Sequence, residues 1–82
     1  MLLGDFIKEL KHNSTWINIY FDNGENDLMD LLLFEGTLGV LKNNIHYQEK
    51  WSKYKILEVE PMYGEDFKVE ISFTICDNVM KF

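Results

Sequence analysis

The strongest constraint on the fold of this chain is an unbroken alternation of apolar and polar residues from Phe67 to Cys76. Successive side chains of a β-strand point to opposite faces of the sheet, so the pattern predicts a strand with one buried and one wet face. The run 54–60 alternates in the same way and predicts a hairpin partner, with residues 61–66 as the connection. Leu57 and Val59 are expected to face the core, which leaves registers that place Glu58 opposite Glu70 or opposite Lys68.

The N-terminal third predicts a helix followed by a strand. Leu3, Phe6, Ile7 and Leu10 have the spacing of a short amphipathic helix. The run 16–21 is rich in β-branched and aromatic residues and predicts a strand, and the polar residues 22–27 predict a turn.

The middle of the chain is less determined. Residues 28–35 fit a second strand paired back on the first, or a short helix that begins after Asn26 and ends at Gly36. The turn ahead of them favours the strand, which would be apolar on both faces and therefore central or covered. Residues 38–45 predict a short strand and turn, and 46–51 a helical turn or an aromatic loop.

Together these elements predict one domain, residues 1–82, of the α+β class. Its N-terminal helix packs on a four- to five-stranded, mainly antiparallel sheet.

The charge balance narrows the choice of partner. The chain has eight lysines, no arginine and fourteen carboxylates, which gives a formal charge of -6 at pH 7. This charge repels nucleic acid and favours the basic surface of a protein. The candidate partner-binding residues are Asp22, Glu25, Asp27, Asp30, Glu58, Glu60, Glu65, Asp66 and Glu70. The alternative interpretation is an ordinary solvated face.

A second group of residues is aromatic. Large aromatics outside the core pattern either anchor a partner or cover the open end of the core. The candidates are Tyr47, Trp51, Tyr54 and Tyr63.

No motif predicts catalysis, a metal site or a cofactor. The acidic run 22–27 lacks the spacing of a calcium loop, and Cys76 with His12 and His46 makes no zinc or triad signature. We therefore expect a non-enzymatic protein without cofactor or metal.

A single cysteine and the absence of an apolar run near the ~20 residues of a membrane span predict a cytoplasmic protein without a membrane partner.

The order of the segments Leu3–Leu10, 17–22, 33–36 and 55–60 resembles the small uncharacterised proteins of phages and mobile elements of low-GC Gram-positive bacteria. The similarity is one of pattern over most of the chain, and no functional residue is transferred from it. It implies a bacterial host and an anti-defence role of the anti-CRISPR type, with a CRISPR effector as one candidate partner.

The sequence thus predicts an acidic inhibitor that blocks a basic nucleic-acid-binding groove on a protein. Two alternatives remain at this point: an oligomeric sponge for a nucleotide signal, with a pocket built by the aromatics of 47–54, and an assembly protein that pairs through a strand edge.

Overall fold

The sheet consists of two strand pairs whose inner members run parallel to each other. The computed structural model describes residues 1–22, 31–63 and 69–76. Its strands are β1 (Trp16–Phe21), β2 (Leu31–Thr37), β3 (Lys55–Tyr63) and β4 (Val69–Cys76). They lie in the order β2-β1-β4-β3, with β1 and β4 parallel and the two outer pairings antiparallel. The α+β prediction is confirmed.

Three short helices cover one face of this sheet. They are α1 (Leu3–Lys8), α2 (Leu38–Lys42) and α3 (Ile45–Glu49), and a 3₁₀ turn follows at Trp51–Lys53. The predicted N-terminal helix is confirmed. None of the helices in the described ranges is a candidate to cross a membrane.

The core lies between the helices and the alternate residues of the two inner strands. Register brings Ile17 beside Ile71 and Ile19 beside Phe73, and these four side chains are buried. The Phe73 ring meets that of Phe6 edge-on, with centroids 5.2 Å apart. Ile75 of β4 is also buried, and the helices contribute the other buried apolar side chains: Leu3, Ile7, Leu38, Leu41 and Tyr47.

Residues Leu38–Lys42 and Ile45–Glu49 are helical with a turn at Asn43 between them, so the strand predicted within 38–45 is wrong. The Thr37 hydroxyl accepts a hydrogen bond from the Val40 N–H at 3.4 Å, and the Asn44 side chain accepts one from the Tyr47 N–H at 3.0 Å. These side chains cap α2 and α3. The chain must cross from one sheet edge to the other here, and helices satisfy their own backbone groups during such a crossover.

Residues 31–37 form a strand paired back on β1, as the favoured alternative predicted. The expectation of a central or covered strand is wrong, because β2 occupies an edge of the sheet and its residues Leu31 and Leu32 are exposed. The ring of Phe34 lies over Gly36, where an added Cβ would be 3.0 Å from the Phe34 Cζ atom. Residues 28–30 lie outside the described part of the chain.

The C-terminal hairpin differs from its predicted form in length and register. Strand β3 continues through Pro61 to Tyr63, although residues 61–66 were expected to be connection. Ile56 pairs with Ile75 and Glu58 with Thr74, so Leu57 is an extra residue in a β-bulge and is exposed instead of facing the core. The predicted opposition of Glu58 with Glu70 or Lys68 is therefore wrong.

We expect Phe73→Ala to lower the free energy of unfolding by about 3–5 kcal/mol, because it leaves a cavity at the centre of the core. A domain of this size has only about 4–12 kcal/mol in total, so the variant will be close to unfolded. Urea denaturation followed by circular dichroism measures the loss. Tyr63→Ala is the control, since Tyr63 is 84% exposed and its loss should cost no more than about 0.5 kcal/mol.

Candidate functional site

The candidate site is the open face of the sheet, which is the face opposite the helices. Because side chains alternate along a strand, the residues between the buried isoleucines of β1 and β4 all point to this side. They include Asn18 and Tyr20 on β1, and Glu70, Ser72 and Thr74 on β4. The described helices all pack on the other side, so no described helix covers the open face.

A groove of about 650 Å³ runs over the open face. It spans the three strands β1, β4 and β3, which are about 4.8 Å apart, so its floor is about 10 Å wide. The lining residues are Asn18, Tyr20, Glu58, Glu60, Met62, Glu70, Ser72 and Thr74. Three carboxylates and no cation are among these eight side chains, so the groove is anionic.

Register determines how the three carboxylates are spaced. Glu58 and Glu60 lie two residues apart on the same side of β3, which separates their Cα atoms by about 7 Å. Glu60 pairs with Ser72, so Glu70 is its diagonal neighbour on β4, at about 7–8 Å. Glu60 is thus the middle member of the group. Repulsion at these separations is weak in water and screened by salt, so the fold can tolerate the group.

The lysines of the described ranges do not neutralise this group. None of the three carboxylates forms an ion pair within the part of the chain that the structure describes. The helices and the segments that connect them carry Lys8, Lys11, Lys42, Lys50 and Lys53. Lys55 pairs with Cys76 and so shares the side of the open face, but it lies at the far end of β3 and does not line the groove.

A hydrogen-bond chain crosses the floor of the groove. The Trp16 indole N–H donates to the Asn18 side-chain oxygen at 3.1 Å, and the Asn18 amide N–H donates to the Ser72 hydroxyl at 3.4 Å. This chain links β1 to β4 and fixes which way the Asn18 amide points. The uncharged polar lining residues Asn18, Tyr20, Ser72 and Thr74 were not predicted, although the alternation in 16–21 and 67–76 already assigns them to the solvent-exposed face.

The remaining predicted acids divide into two sets. Asp22 directly follows β1, is half-buried, and its backbone N–H donates to the Ile75 carbonyl oxygen at 2.9 Å. The others lie outside the described residues: Glu25, Asp27, Asp30, Glu65 and Asp66. The structure therefore brings together Glu58, Glu60 and Glu70 only.

The predicted aromatic anchors serve mainly the core. Tyr47 is buried, so its expected position outside the core is wrong, whereas Trp51 and Tyr54 are half-buried and pack against the core. This arrangement does not support the nucleotide sponge, whose pocket required these aromatics at a surface. Tyr63 is exposed, and its pairing with Val69 places it on the side opposite the carboxylates.

Other chemistry-bearing residues are dispersed. Cys76 ends β4 as a half-buried free thiol, while His12 and His46 are exposed on separate segments. Among the described residues, no three histidine, cysteine or acidic side chains are placed to hold one metal ion. A second, shallower depression near α2 is lined by Asn13, Ser14, Thr37, Gly39, Val40, Asn43 and Asn44, none of which is charged.

Comparisons with protein-family models, with curated proteins and with solved structures found no match. The interpretation of the groove therefore depends on its geometry and charge.

Asn18→Ala should lower the free energy of unfolding by about 1–2 kcal/mol, because both hydrogen bonds of the chain are lost. It should also shift the emission of Trp16 relative to the wild type, as the indole N–H loses its partner. Ser72→Ala is the matched control, since it removes only the longer bond and should cost less. Urea titrations followed by fluorescence measure the free energy of unfolding of both variants. An equal decrease in Asn18→Ala and Ser72→Ala would contradict the predicted difference.

Burial raises the pKa of the Tyr47 phenol above its ordinary value of 10.0, because desolvation disfavours the phenolate. The raised folded-state pKa means that the phenol contributes stability below pH 10, which is lost as the pH rises through the folded-state pKa. We expect Tyr47→Phe to leave the melting temperature at pH 7 nearly unchanged and to reduce its decline above pH 10. Thermal melts from pH 7 to pH 11 measure this difference.

Proposed function

We propose that this chain is a non-enzymatic binding protein whose acidic groove takes up a basic surface of a partner protein. The observation that carries the proposal is the groove itself, in which Glu58, Glu60 and Glu70 stand together without a cationic lining residue. A surface of this kind attracts cationic partners and repels nucleic acid, so the partner is a protein and direct binding of DNA or RNA is not expected.

The separation of charge across the sheet supports this role. Among the described residues, five of the six lysines lie on the helical side, together with Asp5, Glu9 and Glu49, and the three carboxylates lie on the open side, so the described part of the chain has an uneven distribution of charge. A polarised acidic surface orients the protein as it approaches a basic partner and so raises the association rate. Such steering weakens with added salt, because the Debye length falls to about 8 Å at physiological ionic strength.

The partner class that fits best is a protein that holds nucleic acid in a basic groove. Carboxylates spaced at about 7 Å on a sheet can occupy positions that phosphates would take in such a groove. A chain that does so blocks the groove and acts as an inhibitor. The resemblance to small phage and mobile-element proteins extends the proposal to an anti-defence protein in the cytoplasm of a bacterial host, with a CRISPR effector as one candidate target.

The test is a pull-down from nuclease-treated bacterial lysate with the full chain as bait and stepwise elution by salt. Proteins that bind through the groove should elute between low and moderate salt and should be basic. The triple variant E58Q/E60Q/E70Q should weaken the binding of such a protein at least about tenfold, or about 1.4 kcal/mol. Interferometry on the purified partner at three salt concentrations measures the change and its salt dependence.

The matched control is D5N/E9Q/E49Q, which removes three carboxylates from the helical side and gives the same net charge. It should bind nearly as well as the wild type if position, and not total charge, governs recognition. Equal weakening of binding in both triple variants would show that net charge, and not the groove, governs the affinity. Undiminished binding by E58Q/E60Q/E70Q would show that the groove is not the binding surface.

A further inference from the structure

The outer edge of β2 is a second surface suited to an interaction. No described strand pairs with this edge, so within the described ranges its outward N–H and C=O groups have no strand partner, as at any sheet edge that can accept another strand. Leu31 and Leu32 on it are 63% and 44% exposed. Glu35 is the only charged residue of the strand, although the chain as a whole carries a formal charge of -6.

The opposite edge, formed by β3, is protected in several ways. The Ile56 N–H donates to the Met1 carbonyl oxygen and the Leu3 N–H donates to the Tyr54 carbonyl oxygen, each at 2.9 Å, so the N-terminal segment covers the start of this edge. Farther along, Pro61 removes a donor and Glu58 and Glu60 add charge. Edge strand β2 has only two comparable devices, its bulge at Leu33 and the single charge of Glu35.

We propose that two copies of this chain associate by antiparallel pairing of their β2 edges across a two-fold axis. A second copy fits because an isologous contact needs only one self-complementary edge, and the least charged edge is where two anionic molecules repel each other least. A two-fold centred at Phe34 or Gly36 keeps the Glu35 carboxylates of the two copies out of direct opposition, whereas like charges placed opposite are destabilising.

The dimer and the acidic groove are independent of each other. Strands β1, β4 and β3 line the groove and β2 does not contribute to it, so edge pairing leaves both grooves free. The bulge at Leu33 limits the length of regular pairing and makes the association reversible. Salt should tighten the dimer, because it screens the repulsion between two anionic chains, and should weaken the binding of a basic partner.

Sedimentation equilibrium of the full chain, from about 5 µM to about 1 mM, tests the proposal. We expect the mass to rise from 9.8 kDa toward twice that value, and to rise further with added salt. The variant L31K/L32K should increase the dimer Kd at least about tenfold, since lysine is a natural blocker of edge pairing.

The matched control is I45K/L57K, which adds the same two charges at apolar residues that are 59% and 49% exposed and lie away from the β2 edge. It should dimerise at least as well as the wild type. Hydrogen exchange of the wild-type chain supplies a readout that needs no variant, because amides of residues 31–37 should gain protection as concentration rises. A monomer throughout the range, unchanged protection in β2, or equal effects of both lysine pairs would overturn the proposal.

Discussion

The parallel pairing of β1 with β4 is the constraint on which the rest of the structure depends. It brings Ile17, Ile19, Ile71 and Phe73 together in a patch that only the helices can bury. Because that side of the sheet is buried, the alternation of side chains along each strand places Asn18, Ser72, Thr74 and Glu70 on the other side. The core and the groove are therefore two consequences of one pairing, and a shift of β4 by one residue would exchange them.

The parts of the fold that could be predicted are those determined by local pattern. The period-two alternation of 67–76 and the helical stripe of α1 identify their elements because few other conformations bury those residues together. The helix that Thr37 caps could not be predicted from local pattern. Leu38 and Leu41 have helical spacing after a capping threonine, but Gly39 and the short length of the segment made a strand and turn equally compatible with the sequence.

Register and strand order could not be predicted, because they depend on residues far apart in the chain. The registers considered for the β3–β4 hairpin did not include the bulge at Leu57, which shifts every pair beyond it. The edge position of β2 follows from the crossover 38–54, which carries the chain over the sheet to the opposite edge. For the site, the grouping of Glu58, Glu60 and Glu70 on one wet face was accessible from alternation alone. Their polar neighbours on β1 required the parallel pairing.

The groove and the β2 edge differ in the kind of interaction that each can form. The groove is wet and anionic, so its interactions are long-ranged, fast and sensitive to salt. The β2 edge is apolar with unpaired backbone groups, so its interactions are short-ranged and depend on register. Because screening acts in opposite directions on the proposed dimer and on the proposed binding of a basic partner, added salt is expected to favour the first over the second, even though the two surfaces do not overlap. The two proposals therefore assign recognition of a basic partner to a face of this small anionic domain and recognition of a second copy to an edge.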